Sequence, residues 1–250
     1  MKFLGLIAVL ITGGLMLLAS NDFPDWADSE SPANNKADLS QKYVTDTLEL
    51  TEVPNMVTAV LADYRGFDTM FETVVIFVAG IAIIAVLRPV NHDYSLPQPD
   101  DEDPDLIVLM TCRLLIPVIQ LFALYVVAHG HHSPGGGFQG GVMLGASFIL
   151  YALAYGLPKA LVRLSEKRAI TLAVIGILIY AGFGLATQFL GRNFLDYGVL
   201  YKIMPGVETE AWARSHSMLG VEIGVAFTVT AIMFAIYANL STRGRLDRGL

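Results

Sequence analysis

The side chains able to do chemistry gather in one stretch, AHGHHSPGGGFQGG at 128–141, and at a few charges set inside apolar runs. His129, His131 and His132 could bind a metal or pass protons, because imidazole titrates near neutrality. Gly135, Gly137 and Gly140 satisfy G-x-G-x-x-G, a spacing that cradles a pyrophosphate when a strand precedes it and a helix follows. Asp68, Glu72 and Glu222 are carboxylates able to hold a proton or a hard cation, and Arg113 is a permanent positive charge. Which chemistry is open to them depends on the elements that carry them.

Those elements are apolar. The 250 residues are 54% hydrophobic and only 16% charged, against about 25% charged in ordinary soluble domains, and the mean hydropathy is +0.55. Six stretches approach the roughly 20 apolar residues a bilayer requires: 3–19, 67–87, 106–128, 138–157, 170–190 and 217–239. The expected fold is an all-α, polytopic membrane protein with six transmembrane helices. The first stretch has the layout of a signal peptide, with Lys2 before an apolar core and Ala19-Ser20 after it; we read it as a retained anchor span. Short loops on one side carry Arg88, Lys159, Arg163, Lys167, Arg168, Arg243, Arg245 and Arg248, whereas the opposite short loops carry Arg192, Lys202 and Arg214. The positive-inside rule therefore predicts both termini in the cytoplasm.

The net charge of −7 arises mainly from two polar loops and says little about partners. One is FPDWADSESPANNKADLSQ at 23–41; the other, SLPQPDDEDPD at 95–105, reads as a linker between modules 1–94 and 106–250. Ahead of the second span, Val57, Val60, Leu61 and Tyr64 recur at helical spacing and predict a short interfacial helix. The lone cysteine, Cys112, excludes a disulfide framework, a thiolate metal site and iron–sulfur ligation.

In this frame the glycine stretch follows one hydrophobic helix and opens another, so the strand that a dinucleotide site needs is missing. The three histidines have neither an i, i+4 pair nor a neighbouring carboxylate or thiol, which argues against zinc. A tight turn fits better. Pro134 stiffens its entry, and Gly135, Gly136, Gly137, Gly140 and Gly141 around Phe138 permit close packing. Non-helical backbone survives at membrane depth only where protein or water covers its polar groups, so something must pack on this turn. No cofactor and no metal are expected, and no nucleic acid.

The string PVIQLFALYVVAHGHHSPGGGFQGGVMLGASFILYALAYG, within a four-span pattern at 106–240, resembles the B-subunit (MnhB) family of Mrp-type multisubunit Na⁺/H⁺ antiporters. VTAVLADYRGFDTMFETVVIFVAGIAIIAVLRP at 57–89 resembles the C-terminal end of the large A-type component, whose equivalent in membrane-bound hydrogenases is a separate, small E-type component. The resemblance implies a non-enzymatic subunit in a prokaryotic inner membrane. It would work beside large A/D-type and small C-, E-, F- and G-type subunits, moving Na⁺ and H⁺ across the lipid bilayer. It also implies an acid in the span at Glu72, through GFDTMFE, and a subunit-holding role for the glycine turn.

Intramembrane ionisable groups are costly and mark function. Asp68 and Glu72 lie one turn apart on one face. With Glu222, His129, His131, His132 and His216 they fall on the predicted outer side and suggest an entry zone for protons or sodium; solvated loop histidines are the alternative. Arg113 enters from the other side on a face with Pro117 and Gln120, about 15 Å in depth from either glutamate. It either reaches one of them through helix tilt or meets a partner elsewhere in the complex. Gly182 and Gly184 are expected to serve helix packing. Two other arrangements remain open: the same module inside a respiratory complex with a redox arm, and a purely structural scaffold.

Overall fold

The computed structural model describes residues 2–28, 31, 39–88 and 106–246. The linker expected at 95–105 and the end of the basic tail at 247–250 lie outside the described residues. The chain divides into two units, 1–46 and 47–250. The first contains helix α1 (Lys2–Ala19), a 3₁₀ turn over Ser20–Asp22 and α2 (Leu39–Thr45). The side chains of α1 from Gly5 onward are exposed around the whole circumference within this unit, and the helix is long and apolar enough to lie in a bilayer.

The second unit holds α3 (Thr47–Thr51), α4 (Met56–Ala59) and a π-helical turn over Val60–Tyr64, followed by α5 (Gly66–Leu87) and α6 (Leu106–Ala128). Then come α7 (Gly137–Tyr155), α8 (Leu157–Arg163), α9 (Glu166–Phe189), a 3₁₀ helix over Tyr197–Lys202 and α10 (Glu210–Ser241). Six helices, including α1, are long and apolar enough to cross a membrane, and the described residues contain no strand. The protein is all-α and multi-pass.

Helix α10 is the axis of the second unit, with α9, α7 and α5 packed on it and α6 packed on α7. Small residues allow the close approaches: a Cβ on Gly224 would lie 2.6 Å from the Gly176 carbonyl oxygen, and one on Gly80 2.6 Å from Ile232 Cγ2. In a bilayer such backbone proximity replaces the hydrophobic drive that holds soluble helices together. The expected pair in α9 splits. Gly184 packs on Phe194, whereas Gly182 faces open space and packs on nothing.

Helix ends differ from the apolar windows for local reasons. Helix α10 starts seven residues before the predicted span because Thr209 caps it, its Oγ1 accepting from Trp212 N at 3.2 Å. Helix α9 likewise starts at Glu166 behind a Ser165 cap. Helix α7 stops at Tyr155 because Gly156 takes φ +88°, a region open to glycine and costly for L side chains. Between Val53 and Tyr64 the buried residues are Val53, Thr58, Ala59, Ala62 and Asp63, while Val57 and Leu61 face outward. Of the apolar positions that predicted this short helix, Val57 and Leu61 are thus exposed, while Val60 and Tyr64 are half-buried.

Candidate functional site

The glycine turn is held from two sides. Asn55 caps α4, its Oδ1 accepting from Val57 N. Its Nδ2 donates to the carbonyls of Gly130 and Ser133 at 2.8 and 2.9 Å, and its backbone N–H to that of His131 at 2.9 Å. Thr58 Oγ1 donates to the Gly130 carbonyl at 2.7 Å. On the other side the turn lies on α10. A Cβ on Gly136 would sit 2.8 Å from Glu222 Oε1, one on Gly130 3.0 Å from Oε2, and one on Gly137 would overlap the Glu222 backbone carbonyl. Gly136 also takes φ +124°, so it needs glycine for its conformation as well as for space.

Beneath the turn lies a cavity of about 250 Å³, lined by Thr58, Leu61, Thr69 and Glu72 from the α4–α5 segment and by Gly135–Gln139, Tyr180, Val221, Glu222 and Val225 from the other helices. Glu222 is 9% exposed, and its Oε2 has no hydrogen-bond partner among the described residues. The first residues of α7, Gly137, Phe138 and Gln139, line the same space, and the first N–H groups of a helix have no intrahelical acceptors. Polarity there suits an anion or a carboxylate shared with water or a cation. Two carboxylates, one buried and one exposed, thus line one cavity with room for several waters beside the glycine turn.

The remaining expected residues disperse. Asp68 is exposed and pairs with Arg65 instead of joining Glu72 at the cavity. Arg113 is exposed on α6 and meets no carboxylate among the described residues, so the structure does not bring it to Glu72 or Glu222. His129 stacks on Tyr125 at 4.8 Å and lies 5.3 Å from His132. His131 is buried, and burial, then the neighbouring His132 and His216, hold its imidazole below the usual 6.5. Pro134 and Phe138 are exposed, whereas Gly140 and Gly141 press against α6 and α10. Among the described residues no group of three or more His, Cys, Asp or Glu is placed to hold a metal ion.

Three polar ties have no counterpart in the sequence pattern. Arg214 Nε donates to the buried Asp63 Oδ2 at 2.6 Å, with the guanidinium over the Tyr64 ring at 5.5 Å. Burial raises the Asp63 carboxyl above its usual 3.8 despite the opposing pull of Arg214. Tyr180 donates to the Gly66 carbonyl at 2.9 Å. At the far end of the helices, Arg88 and Asn239 both donate to Glu166 Oε1, at 2.9 and 3.1 Å. No periodicity marks these residues, because each pair joins helices far apart in sequence. For Asn55 a local signal exists that the pattern of apolar positions does not use: it is an N-cap residue type just ahead of an apolar run.

Residues 107–235 match a family model described as a domain related to the MnhB subunit of Na⁺/H⁺ antiporter. Residues 6–100 match one described as the E component of MBH, named MbhE. Over 61% of its length the chain is 29% identical to a probable K(+)/H(+) antiporter A/B component of Rhizobium meliloti (strain 1021), of which it spans only 17%. Over 56% it is 27% identical to the putative antiporter subunit mnhB2 of Staphylococcus aureus (strain Newman), spanning 96% of that protein. Its fold is similar to a chain of the membrane-bound sulfane sulfur reductase, an archaeal respiratory membrane complex, with TM-score 0.67, 23% identity and coverage of 96% of this chain and 97% of that one. It is also similar to a chain of the Mrp complex from Dietzia sp. DQ12-45-1b, with TM-score 0.65, 26% identity and coverage of 99% of this chain and 27% of that one.

Proposed function

The chain belongs to the family of domains related to the MnhB subunit of Na⁺/H⁺ antiporters, and on that premise we propose that it is a membrane subunit of a multisubunit, Mrp-type monovalent-cation/proton antiporter. One observation carries the reading. Glu72, from the stretch matched by the MbhE model, and Glu222, from the stretch matched by the MnhB-related model, line one cavity under the glycine turn. Modules 1–94 and 106–250, joined by 95–105, would correspond to the two matches. The partners would be the large A/D-type and small C-, E-, F- and G-type subunits in a prokaryotic inner membrane, with Na⁺ and H⁺ as the transported ions. Any redox chemistry would sit in those partners.

Packing restricts the ion's route. Inward from Glu222 along α10 the buried side chains are mostly Val225, Val229, Ile232, Phe234 and Ala235. The two threonines among them are used up, Thr228 on the Ala173 carbonyl at 2.9 Å and Thr230 on that of Gly141 at 3.0 Å. Between Glu222 and Ala235 the buried residues of α10 thus offer a charge no free polar side chain. The ion therefore enters at the Glu72–Glu222 cavity and continues along a surface shared with a neighbouring protein of the complex. Arg113, exposed inside the span of α6, would meet an acidic group of such a partner.

The test is cation-dependent collapse of a pH gradient in everted membrane vesicles carrying the whole complex. Glu72→Gln and Glu222→Gln should abolish exchange while the subunits still co-purify; normal exchange in both variants would remove the ion-path role and leave a scaffold. The end-to-end match to a chain of a respiratory complex favours a second reading, in which the same module is driven by a redox arm. Mass spectrometry of the native complex separates the two. Antiporter-like subunits alone support an exchanger, and accompanying iron–sulfur proteins support a redox-driven pump.

A further inference from the structure

Asn55 does two jobs with one amide. Its oxygen accepts from Val57 N at 3.1 Å and caps α4, while its nitrogen donates to the carbonyls of Gly130 and Ser133. Among the described residues, the carbonyls of 130–133 receive side-chain hydrogen bonds from Asn55 and Thr58 alone. Of the turn's other ties, the Asn55 backbone N–H to the His131 carbonyl at 2.9 Å also reaches the start of α4 and is kept in every side-chain variant, while Ser133 Oγ to the His129 carbonyl at 3.3 Å and Gly136 N to that of Val126 at 3.1 Å end on the turn itself or on α6. Gly130 and Gly136 in turn lie directly against the two carboxylate oxygens of Glu222.

We propose that Asn55 is the positioning residue that holds the 130–136 turn closed over Glu222, and so sets how readily water and ions reach that carboxyl. The proposal rests on the reading of Glu222 as an ion-path group, but its geometry stands apart from transport. The residue type is demanding. Two carbonyl oxygens need a donor, and an amide supplies two N–H groups where a carboxylate supplies none. Aspartate has the same shape and retains the capping oxygen, yet it places an oxygen against both carbonyls. Asn55→Asp therefore separates holding the turn from capping α4, and Asn55→Ala removes both. Thr58→Val removes one donor and keeps the volume.

The experiment uses the intact complex in membranes, treated with a water-soluble carbodiimide plus glycine methyl ester, with adducts at each carboxyl quantified by mass spectrometry. Asn55→Asp and Asn55→Ala should each raise the modification rate of Glu222 several-fold. Thr58→Val should raise it less, and the exposed Glu208, which does not line the cavity, serves as the internal reference. Glu222 modified at the wild-type rate in Asn55→Asp overturns the proposal, as does a rise confined to Asn55→Ala, which would trace to the lost cap. If Asn55→Asp fails to assemble, the Thr58→Val rate decides in the same way. Normal exchange by Glu222→Gln would remove Glu222 from the ion path without touching this result, and an unchanged labelling rate would defeat the holding role even where Glu222→Gln abolishes exchange.

Discussion

Replacing Gly137 by alanine tests whether α7 and α10 meet as the structure places them. The added Cβ would lie 2.7 Å from the Glu222 carbonyl carbon and 2.9 Å from its Cα. Carbon atoms rest at ~3.5–4.0 Å, so the two helices must part by about 1 Å. Both atoms are backbone within a long helix, so no side-chain rotation relieves the clash. Overpacking of this kind costs about 1–3 kcal/mol, occasionally more. At ~2–4 °C per kcal/mol for a chain of this size, the apparent melting midpoint should fall by roughly 2–12 °C. Gly141→Ala meets Ala226 Cα and Val229 Cβ at 3.0 Å each, a milder crowding that calls for a smaller drop. Gly182→Ala has nothing within 4 Å and should gain ~0.4–1 kcal/mol through the stiffer unfolded chain. The assay is size-exclusion chromatography of a fluorescently tagged complex after brief heating at graded temperatures. The order Gly137→Ala below Gly141→Ala below wild type below Gly182→Ala is expected. A Gly137→Ala midpoint within about 1 °C of wild type would mean that the turn does not rest on Glu222.

Two further outcomes follow from the polar ties. Because the His131 imidazole is held below 6.5 by burial, the unfolded chain binds more protons than the folded one as pH falls through that value. The stability contribution of neutral His131 is thus complete above pH 6.5 and is lost as pH drops toward its lowered folded-state value; His131→Gln should flatten the midpoint-versus-pH curve just below pH 6.5. Arg88→Ala removes the counter-charge of the 5%-exposed Glu166 carboxylate and leaves it the Asn239 amide, which should cost up to about 3 kcal/mol, whereas the Arg88→Ala/Glu166→Gln double variant, with no unpaired charge, should recover much of that loss in the same heating assay.

Much of this architecture is written locally. Six apolar runs, interrupted by acidic, proline-rich and basic segments, suffice for an all-α, multi-pass chain, because a bilayer admits only helices or closed barrels. The glycine turn was recognisable as a packed turn rather than a nucleotide loop from its neighbours alone. Its need for a covering partner followed from the cost of bare backbone in lipid.

What covers it was invisible. Asn55 and Gly130 are 75 residues apart, Glu222 comes far later in the chain, and no sequence period links the three. Only packing of α4, α7 and α10 brings them together. Depth arithmetic set Arg113 about 15 Å from the glutamates without deciding whether tilt closes that gap, and it could not show that Glu72 and Glu222 share a cavity while Asp68 turns away to Arg65. A helix surface carries several faces, and which face meets a neighbour is decided by small residues such as Gly80, Gly137 and Gly224. Their role is to be absent volume. Composition and periodicity register side chains that are present, so the contacts that assemble this site became legible only in three dimensions.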